Sequence, residues 1–467
     1  MARPREVEPS ALSLRLQSGG PLSAQALAAS LRVDRSSISR ALSRPEIAPH
    51  LVRLGTTRGT SYALRRSVRG LGDTFAVRRV DAAGRAQDWA ELVALHGGWQ
   101  LRWADRARAP EWAPAVFGLG GYAEGFPFFL GEVRPQGYLG RAIGRALSLS
   151  LNLPPDPRMW SDDDTLVYLQ GAGDDLPGDL VVGDVPLRRV QDHVLHPPET
   201  LPADARAVRY PELARAGATQ EVPGSSVEGE QPKFLVTLAE SDGAATPVLV
   251  KFTDVLSTPT GRRWADLLVA EAHALTLLQA RGEAHAAPRL LMAGNRCFLE
   301  TPRYDRVGLH GRRGVVSLRA LHDAFEGPDA NRWPAVAAHL RAREFIDDAA
   351  LRSIRLRHAF GELIGNTDMH FGNLAFWLDD TLPFRLAPAY DMLPMRWAPT
   401  PGNATPAPEF APTPPLPADR ELWLEAAVWA DEFWQRVAAD DRVSPAFTEI
   451  ASRAGETVAR LRRHFAG

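Results

Sequence analysis

The chain has 467 residues, 45% of them hydrophobic, with a formal net charge of −2 and a single cysteine, Cys297. This composition excludes a disordered chain and an internal disulfide, and the length suggests about three domains or lobes. The N-terminal "MARPREVEPS" lacks a signal peptide's apolar stretch and no run of about 18 apolar residues follows, so a cytoplasmic protein without a membrane partner is expected.

The net charge hides an uneven distribution. Residues 1–70 carry twelve Arg, no Lys and four acids, which leaves a basic head on an acidic body. Such a head suits a polyanion. Its elements read as a winged helix-turn-helix: a helix in "SALSLRLQ", a second in "LSAQALAASL" (22–31), a turn, a third in "RSSISRAL" (35–42), then a hairpin in "LVRLGTTRGTSYALRR". Ile38 and Leu42 face inward in this reading. Arg35, Ser36, Ser37, Ser39 and Arg40 face outward toward double-stranded DNA, and Arg58 lies near the wing tip. The competing reading is a small dimerisation module with a basic face.

Residues 71–215 mix turns, strands and a helix without catalytic spacing, and are expected to be structural. Residues 222–255 read as loop, strand, turn and strand, followed by the helix "RWADLLVAEAHALTLLQARG". Glu271 falls in phase with that helix's apolar stripe. It therefore either finds a buried partner or sits solvated at the stripe's edge. The strand in "CFLETPRYDR" leads to a helical region ending in "DDAALRSIRLRHAFGELIG". Then come "GNTDMHFGNLAF", a hairpin from "LAFWL" and "PFRLA", and "PAYDML". Residues 396–420 hold eight prolines and read as a long mobile loop before two amphipathic helices.

Only two of the 54 basic residues are lysines, Lys233 and Lys251. A compact ammonium reaches a phosphate as a point charge, where a guanidinium fork acts differently. Both lysines are therefore candidates for chemistry. Phosphoryl transfer needs a loop over phosphates, a lysine, a carboxylate for the acceptor hydroxyl and oxygen ligands for Mg²⁺. The chain offers these in order: the loop "GSSVEGEQPK" with Val227, Glu228, Gly229, Glu230, Gln231 and Lys233, then Lys251, then Glu271 as a lysine partner. Asp368-x-His370-x-x-Asn373 follows, and then Asp391. The five-residue step from Asp368 to Asn373 is that of a kinase catalytic loop. His370 alone is more often structural than catalytic. Asp368 and His370 as hydrolase metal ligands would require further ligands at comparable spacing.

"GNTDMHFGNLAF", "LAPAYDML", "GSSVEGEQPKFLV" and "RYDR" resemble the HipA toxin kinases, bacterial serine/threonine kinases of toxin–antitoxin systems. With "EVRPQGYLGR" and "GDDLPGDLVVGD", the chain is most similar to the YjjJ (HipH) branch, where a DNA-binding domain precedes the kinase. The resemblance implies an α+β fold: a winged helix-turn-helix (1–70), a HipA-type N-terminal subdomain (71–215), a kinase N-lobe (216–305) and a mostly helical C-lobe (306–467). It implies Asp368 as catalytic aspartate, His370 as support for the catalytic loop, and Asn373 and Asp391 as Mg²⁺ ligands. Lys251 would contact the ATP phosphates, Lys233 would close the phosphate loop, and the backbone at Pro302 and Tyr304 would meet adenine. Ser226 lies where the family's autophosphorylated serine lies, with Ser225 beside it as the alternative. Implied partners are a protein substrate such as an aminoacyl-tRNA synthetase or another translation factor, DNA, and an antitoxin. Two other readings stand beside this one: a DNA-binding transcriptional regulator with a catalytically silent kinase-like body, and a small-molecule kinase of the aminoglycoside-phosphotransferase type.

Overall fold

The structure is a computed structural model that describes residues 6–56, 59–197, 199–219, 231–240 and 242–466. The head contains three helices, Pro9–Gly19, Ala24–Leu31 and Arg35–Leu42, and three short strands, Leu22–Ser23, Leu51–Leu54 and Ser61–Leu64. The last strand lies between the other two, antiparallel to both. The second helix starts at Ala24, two residues later than the apolar pattern suggests. Ser23 caps it by accepting a hydrogen bond from the Ala26 amide at 3.1 Å, while Leu22 and Ser23 pair with the hairpin. Helices of eight residues are marginal alone, so packing holds them. Leu12, Leu16, Leu27, Ile38, Leu42 and Leu64 form that core.

Arg35, Ser36, Ser39 and Arg40 are exposed on the third helix, but Ser37 is not. It is 4% exposed, and its hydroxyl accepts from Arg40 at 3.2 Å. Ser37 lies one turn before the buried Ala41, on the packed face. Its assignment to the outward set is therefore corrected. Arg58 lies outside the described residues.

The middle segment is an antiparallel sheet ordered Tyr122–Ala123, Gly98–Trp103, Ala86–Leu95, Thr74–Val80 and Leu180–Val182. Its core is aromatic. Trp89 meets Trp103 edge-on at 4.9 Å and Phe129 at 5.2 Å. Val93 and Leu95 also pack against Val52, Leu54 and Ala63, which seats the head on this sheet.

A second five-stranded sheet runs Arg289–Ala293, Arg296–Pro302, Ala245–Phe252, Lys233–Ala239 and Leu201–Pro202. Its register sets Lys233 opposite Lys251. The helix Pro259–Gln279, capped by Thr258, packs between the Arg296–Pro302 strand and the helix Arg420–Ala439. Burial on two sides explains why its apolar positions exceed a single stripe. Helices Leu318–Ala324, Trp333–Ala342, Asp348–Leu363, Arg420–Ala439 and Pro445–Ala466 build most of residues 318–466.

Two expectations are modified here. The strand Ala375–Trp377 pairs with Val315–Ser317, and the "PFRLA" arm joins it only through a bridge between Phe376 and Leu386. Pro383 and Pro388 lack amide donors at both ends of that arm, so a longer ladder cannot form. The proline-rich stretch 396–420 is irregular, yet it is docked. Trp397 is 2% exposed, Trp423 Nε1 donates to the Thr413 carbonyl, and Arg263 donates to the Trp397 and Pro406 carbonyls. Among the described residues no helix is long and apolar enough to cross a membrane.

Candidate active site

The helix Asp348–Leu363 starts at Asp347, whose carboxylate accepts from the Ala350 amide at 2.7 Å. It ends before Gly365, which has φ +71°. A Cβ at Gly365 would lie 2.7 Å from the Trp397 ring, so both conformation and space demand glycine. The chain then enters 366–373, a segment held by its own polar groups.

Asn366 organises this segment. It is 4% exposed, its carboxamide oxygen accepts from the Asp368 amide at 3.0 Å, and its Nδ2 donates to the Asp391 carbonyl at 3.3 Å. One buried side chain thus fixes the backbone at both acidic positions. Asn373, 8% exposed, donates from Nδ2 to the Asp368 carbonyl at 2.7 Å. This bond closes the five-residue step and leaves the Asn373 Oδ1 for another partner. His370 caps the turn Phe371–Asn373 by accepting the Gly372 amide at Nδ1, 3.0 Å away. Its carbonyl takes the Trp333 indole N–H at 3.0 Å. The imidazole thereby shapes the loop, as a structural histidine does. The Asp368 side chain is exposed to solvent.

Asp391 is brought to this loop by its neighbours. The Tyr390 hydroxyl donates to the Gly372 carbonyl at 2.6 Å. Asp391 itself has φ +50°, a left-handed conformation that costs a non-glycine residue energy and turns its carboxylate away from the regular chain path. That carboxylate receives Lys251. The Lys251 ammonium is buried and also donates to Glu271 at 2.6 Å. Glu271, 1% exposed, is therefore the buried partner and not a solvated edge residue. Its second oxygen is buried without a hydrogen bond among the described residues.

The electrostatics follow from this sharing. Burial pushes the Asp391 carboxyl up, but Lys251 and Lys233 outweigh it and hold it below the ordinary carboxylate range. Burial likewise opposes the Lys251 charge, but Asp391 and Glu271 outweigh it and raise the ammonium above its ordinary value. Burial dominates at Glu271, which stays above the usual range despite Lys251.

Just beyond the strand Arg296–Pro302, Tyr304 stacks on Tyr390 at 5.8 Å and meets Trp377 edge-on at 5.7 Å. Pro302 has no amide, so only its carbonyl can pair with a base. Gln231 donates to the Phe252 carbonyl beside Lys251. Val227, Glu228, Gly229, Glu230, Ser225 and Ser226 lie outside the described residues. Among the described residues no three His, Cys, Asp or Glu side chains form a metal-sized cluster. Asn373 Oδ1 and the Asp391 carboxylate are oxygens that could hold Mg²⁺, an ion that keeps substrate phosphates and waters in its shell.

The sequence reading missed three features. Asn366 stood in the quoted motif without a role. The segment after Pro302 is clamped to the middle sheet: Asp305 accepts from the Gly178 amide at 2.9 Å, Arg303 Nη2 at 2.9 Å and Arg306 at 2.7 Å. Glu132 of the middle segment accepts from the Ser317 hydroxyl at 2.8 Å, and burial pushes its carboxyl up to about 7. A rule that buried polar groups seek partners could have flagged Asn366, but only once its burial was known.

A strand lysine held by a helix glutamate, opposite an Asp–Asn loop and a left-handed Asp, is a kinase-like arrangement. A model of the HipA-like C-terminal domain matches residues 225–463, and one of the YjjJ-like toxin middle domain matches residues 71–191. The chain is 35% identical to Toxin YjjJ of Escherichia coli (strain K12) over 446 residues, covering 95% of this chain and 96% of that one. The chain therefore belongs to the HipA-like toxin family, among its YjjJ-like members. A chain from the HipA, HipB and operator DNA complex of Shewanella oneidensis MR-1 shares the fold, with a TM-score of 0.50 and 15% identity over 84% of this chain and 97% of that one.

Proposed function

We propose that the protein is an ATP-dependent serine/threonine protein kinase of the HipA toxin type. The observation that carries this reading is Lys251, shared between Glu271 and Asp391, with Asn366 tying the Asp391 carbonyl to the Asp368 amide. In this reading Asp368 takes the proton of the acceptor hydroxyl. The hydroxyl oxygen bonds to the γ-phosphorus of ATP, and the bond from that phosphorus to the departing ADP oxygen breaks. Asn373 and Asp391 would hold Mg²⁺, which supplies charge neutralisation across the phosphates. Lys251, fixed by Glu271, would be the cation that contacts the ATP phosphates. Gln231 and Lys233 continue the phosphate loop, and Pro302 and Tyr304 receive adenine. Ser226, or Ser225 beside it, is the proposed autophosphorylation site. A phosphate there would add nearly two negative charges and strong acceptors, and would oppose ATP binding.

The head is proposed to be a winged helix-turn-helix that binds double-stranded DNA through Arg35, Ser36, Ser39, Arg40 and Arg58. Its three helices and three-stranded sheet support that reading. A translation protein as target and an antitoxin as partner are carried as proposals from the family. Labelled-phosphate transfer from Mg-ATP tests the kinase reading: wild type transfers, and Asp368→Asn does not while keeping its thermal stability. Equal transfer by both proteins removes Asp368 from the mechanism. DNA binding without any phosphotransfer favours the silent-body regulator.

A further inference from the structure

A cavity of about 440 Å³ opens beside Asp368. The Gly365–His370 segment, Arg332, Arg396 and Phe410–Thr413 line it. Gly365 packs against Trp397 and Phe410. The charges in this cavity are mostly answered. Glu362 takes Arg332 at 3.0 Å and His358 at 3.6 Å. His370 is engaged by the Gly372 amide. Arg396 differs. Its amide donates to the Gly365 carbonyl at 3.0 Å, and its guanidinium rests on the Glu409 carbonyl. No carboxylate pairs with it among the described residues. Among the described residues it is a positioned guanidinium fork with an unanswered charge.

Resting on the kinase reading, we propose that the phosphoacceptor is a polypeptide segment carrying a carboxylate close to its Ser or Thr hydroxyl. The segment sits in this cavity with the carboxylate on Arg396. A guanidinium fork matches a carboxylate in shape and charge. Asp368 repels a second anion at the hydroxyl itself, so the carboxylate belongs at the Arg396 end. The lining residues Phe410, Ala411 and Pro412 make no backbone hydrogen bond among the described residues, and Ala411 is exposed. Main-chain groups of a bound peptide can pair there. A nucleic acid would bring a phosphate with every nucleotide past Asp368, which disfavours it as occupant.

The test uses the full chain, Mg-ATP and peptides of equal length with one central Ser flanked by Glu, Gln or Lys. The Glu-flanked peptide is expected to exceed the Gln-flanked one by about tenfold in kcat/KM, and the Lys-flanked one to be worst. Arg396→Gln is expected to erase that ratio by raising KM for the Glu peptide, and Arg396→Lys to restore part of it. The wild-type ranking needs no variant, so a folding failure leaves the test intact. An equal or reversed ranking overturns the inference, as does a preference that survives Arg396→Gln. Self-phosphorylation with no peptide turnover overturns it and leaves the kinase reading standing. Absence of both removes the two together. A short RNA that accepts phosphate better than any peptide overturns it in favour of nucleic acid.

Discussion

Replacing Lys251 with Met separates the lysine's structural work from its chemical work. The pair is buried, with Lys251 6% and Glu271 1% exposed. Met keeps the volume and removes the ammonium, so Glu271 loses the hydrogen-bonding cation that offsets its burial. Removing one member of a buried ion pair costs about 3–5 kcal/mol. Asp391 adds less to that cost, because its side chain is 30% exposed and Lys233 still favours its charged form. The cost depends on pH. Burial already raises the Glu271 carboxyl, and without Lys251 it rises further. A carboxyl raised in the folded state contributes most below its unfolded value, near 4.5, and loses that contribution as pH rises through the folded value. The variant therefore approaches wild type toward pH 4.5 and falls further below it as the pH rises from 5 to 8. A double variant, Lys251→Met with Glu271→Leu, removes the orphaned carboxyl and recovers most of the stability, since an apolar pair is often as stable as a buried ion pair. It recovers no phosphotransfer. Urea unfolding at pH 5 and pH 8, with the slope checked for constancy, measures all of this. A single variant as stable as wild type at pH 8, or a double variant no better than the single, refutes the reasoning.

Three further outcomes are expected. Asn366→Ala frees the Asp368 amide and the Asp391 carbonyl together, and a misplacement near 1 Å lowers kcat by about a hundredfold; steady-state kinetics with an unchanged kcat would contradict this. Glu132→Gln keeps an acceptor for Ser317 and removes a carboxyl raised from 4.5 to about 7, so the variant is more stable than wild type at pH 8 and approaches it below pH 4.5. Each pKa unit is worth about 1.4 kcal/mol, and thermal melts across that range read the difference. Arg35→Ala with Arg40→Ala weakens binding to duplex DNA and flattens its log–log salt dependence by about one unit for each phosphate no longer neutralised, measured by anisotropy at several salt concentrations.

Much of the candidate site could be read from residue identity, because phosphoryl transfer demands a fixed order of groups. Arginine supplies nearly all the positive charge in this chain, so the two lysines stood out before any geometry was known. Partnership was harder to read. Glu271 could be buried or solvated on sequence grounds, since helix phase alone does not say that a second layer of helices covers the far side. Ser37 failed for a related reason: a serine is small enough to pack like alanine beside Ala41, and its polarity suggests exposure. The "PFRLA" arm has strand-like residues, but its flanking prolines remove the donors a ladder needs. The aromatic sheet of residues 74–182 is hard to read from sequence because several of its strands are buried on consecutive positions, which obscures alternation. The Asp305 clamp joins residues more than a hundred positions apart, at Gly178 and Asp305, and nothing local announces it.

The central claim is that Asp368 directs phosphate from ATP onto a hydroxyl. Intact and peptide mass spectrometry after incubation with Mg-ATP, on wild type and Asp368→Asn, tests it most directly. The account predicts a phosphate on Ser226 or Ser225 in wild type and none in Asp368→Asn. Phosphate on the Asp368→Asn protein, or none on wild type together with none on any acceptor in cell extract, would contradict it.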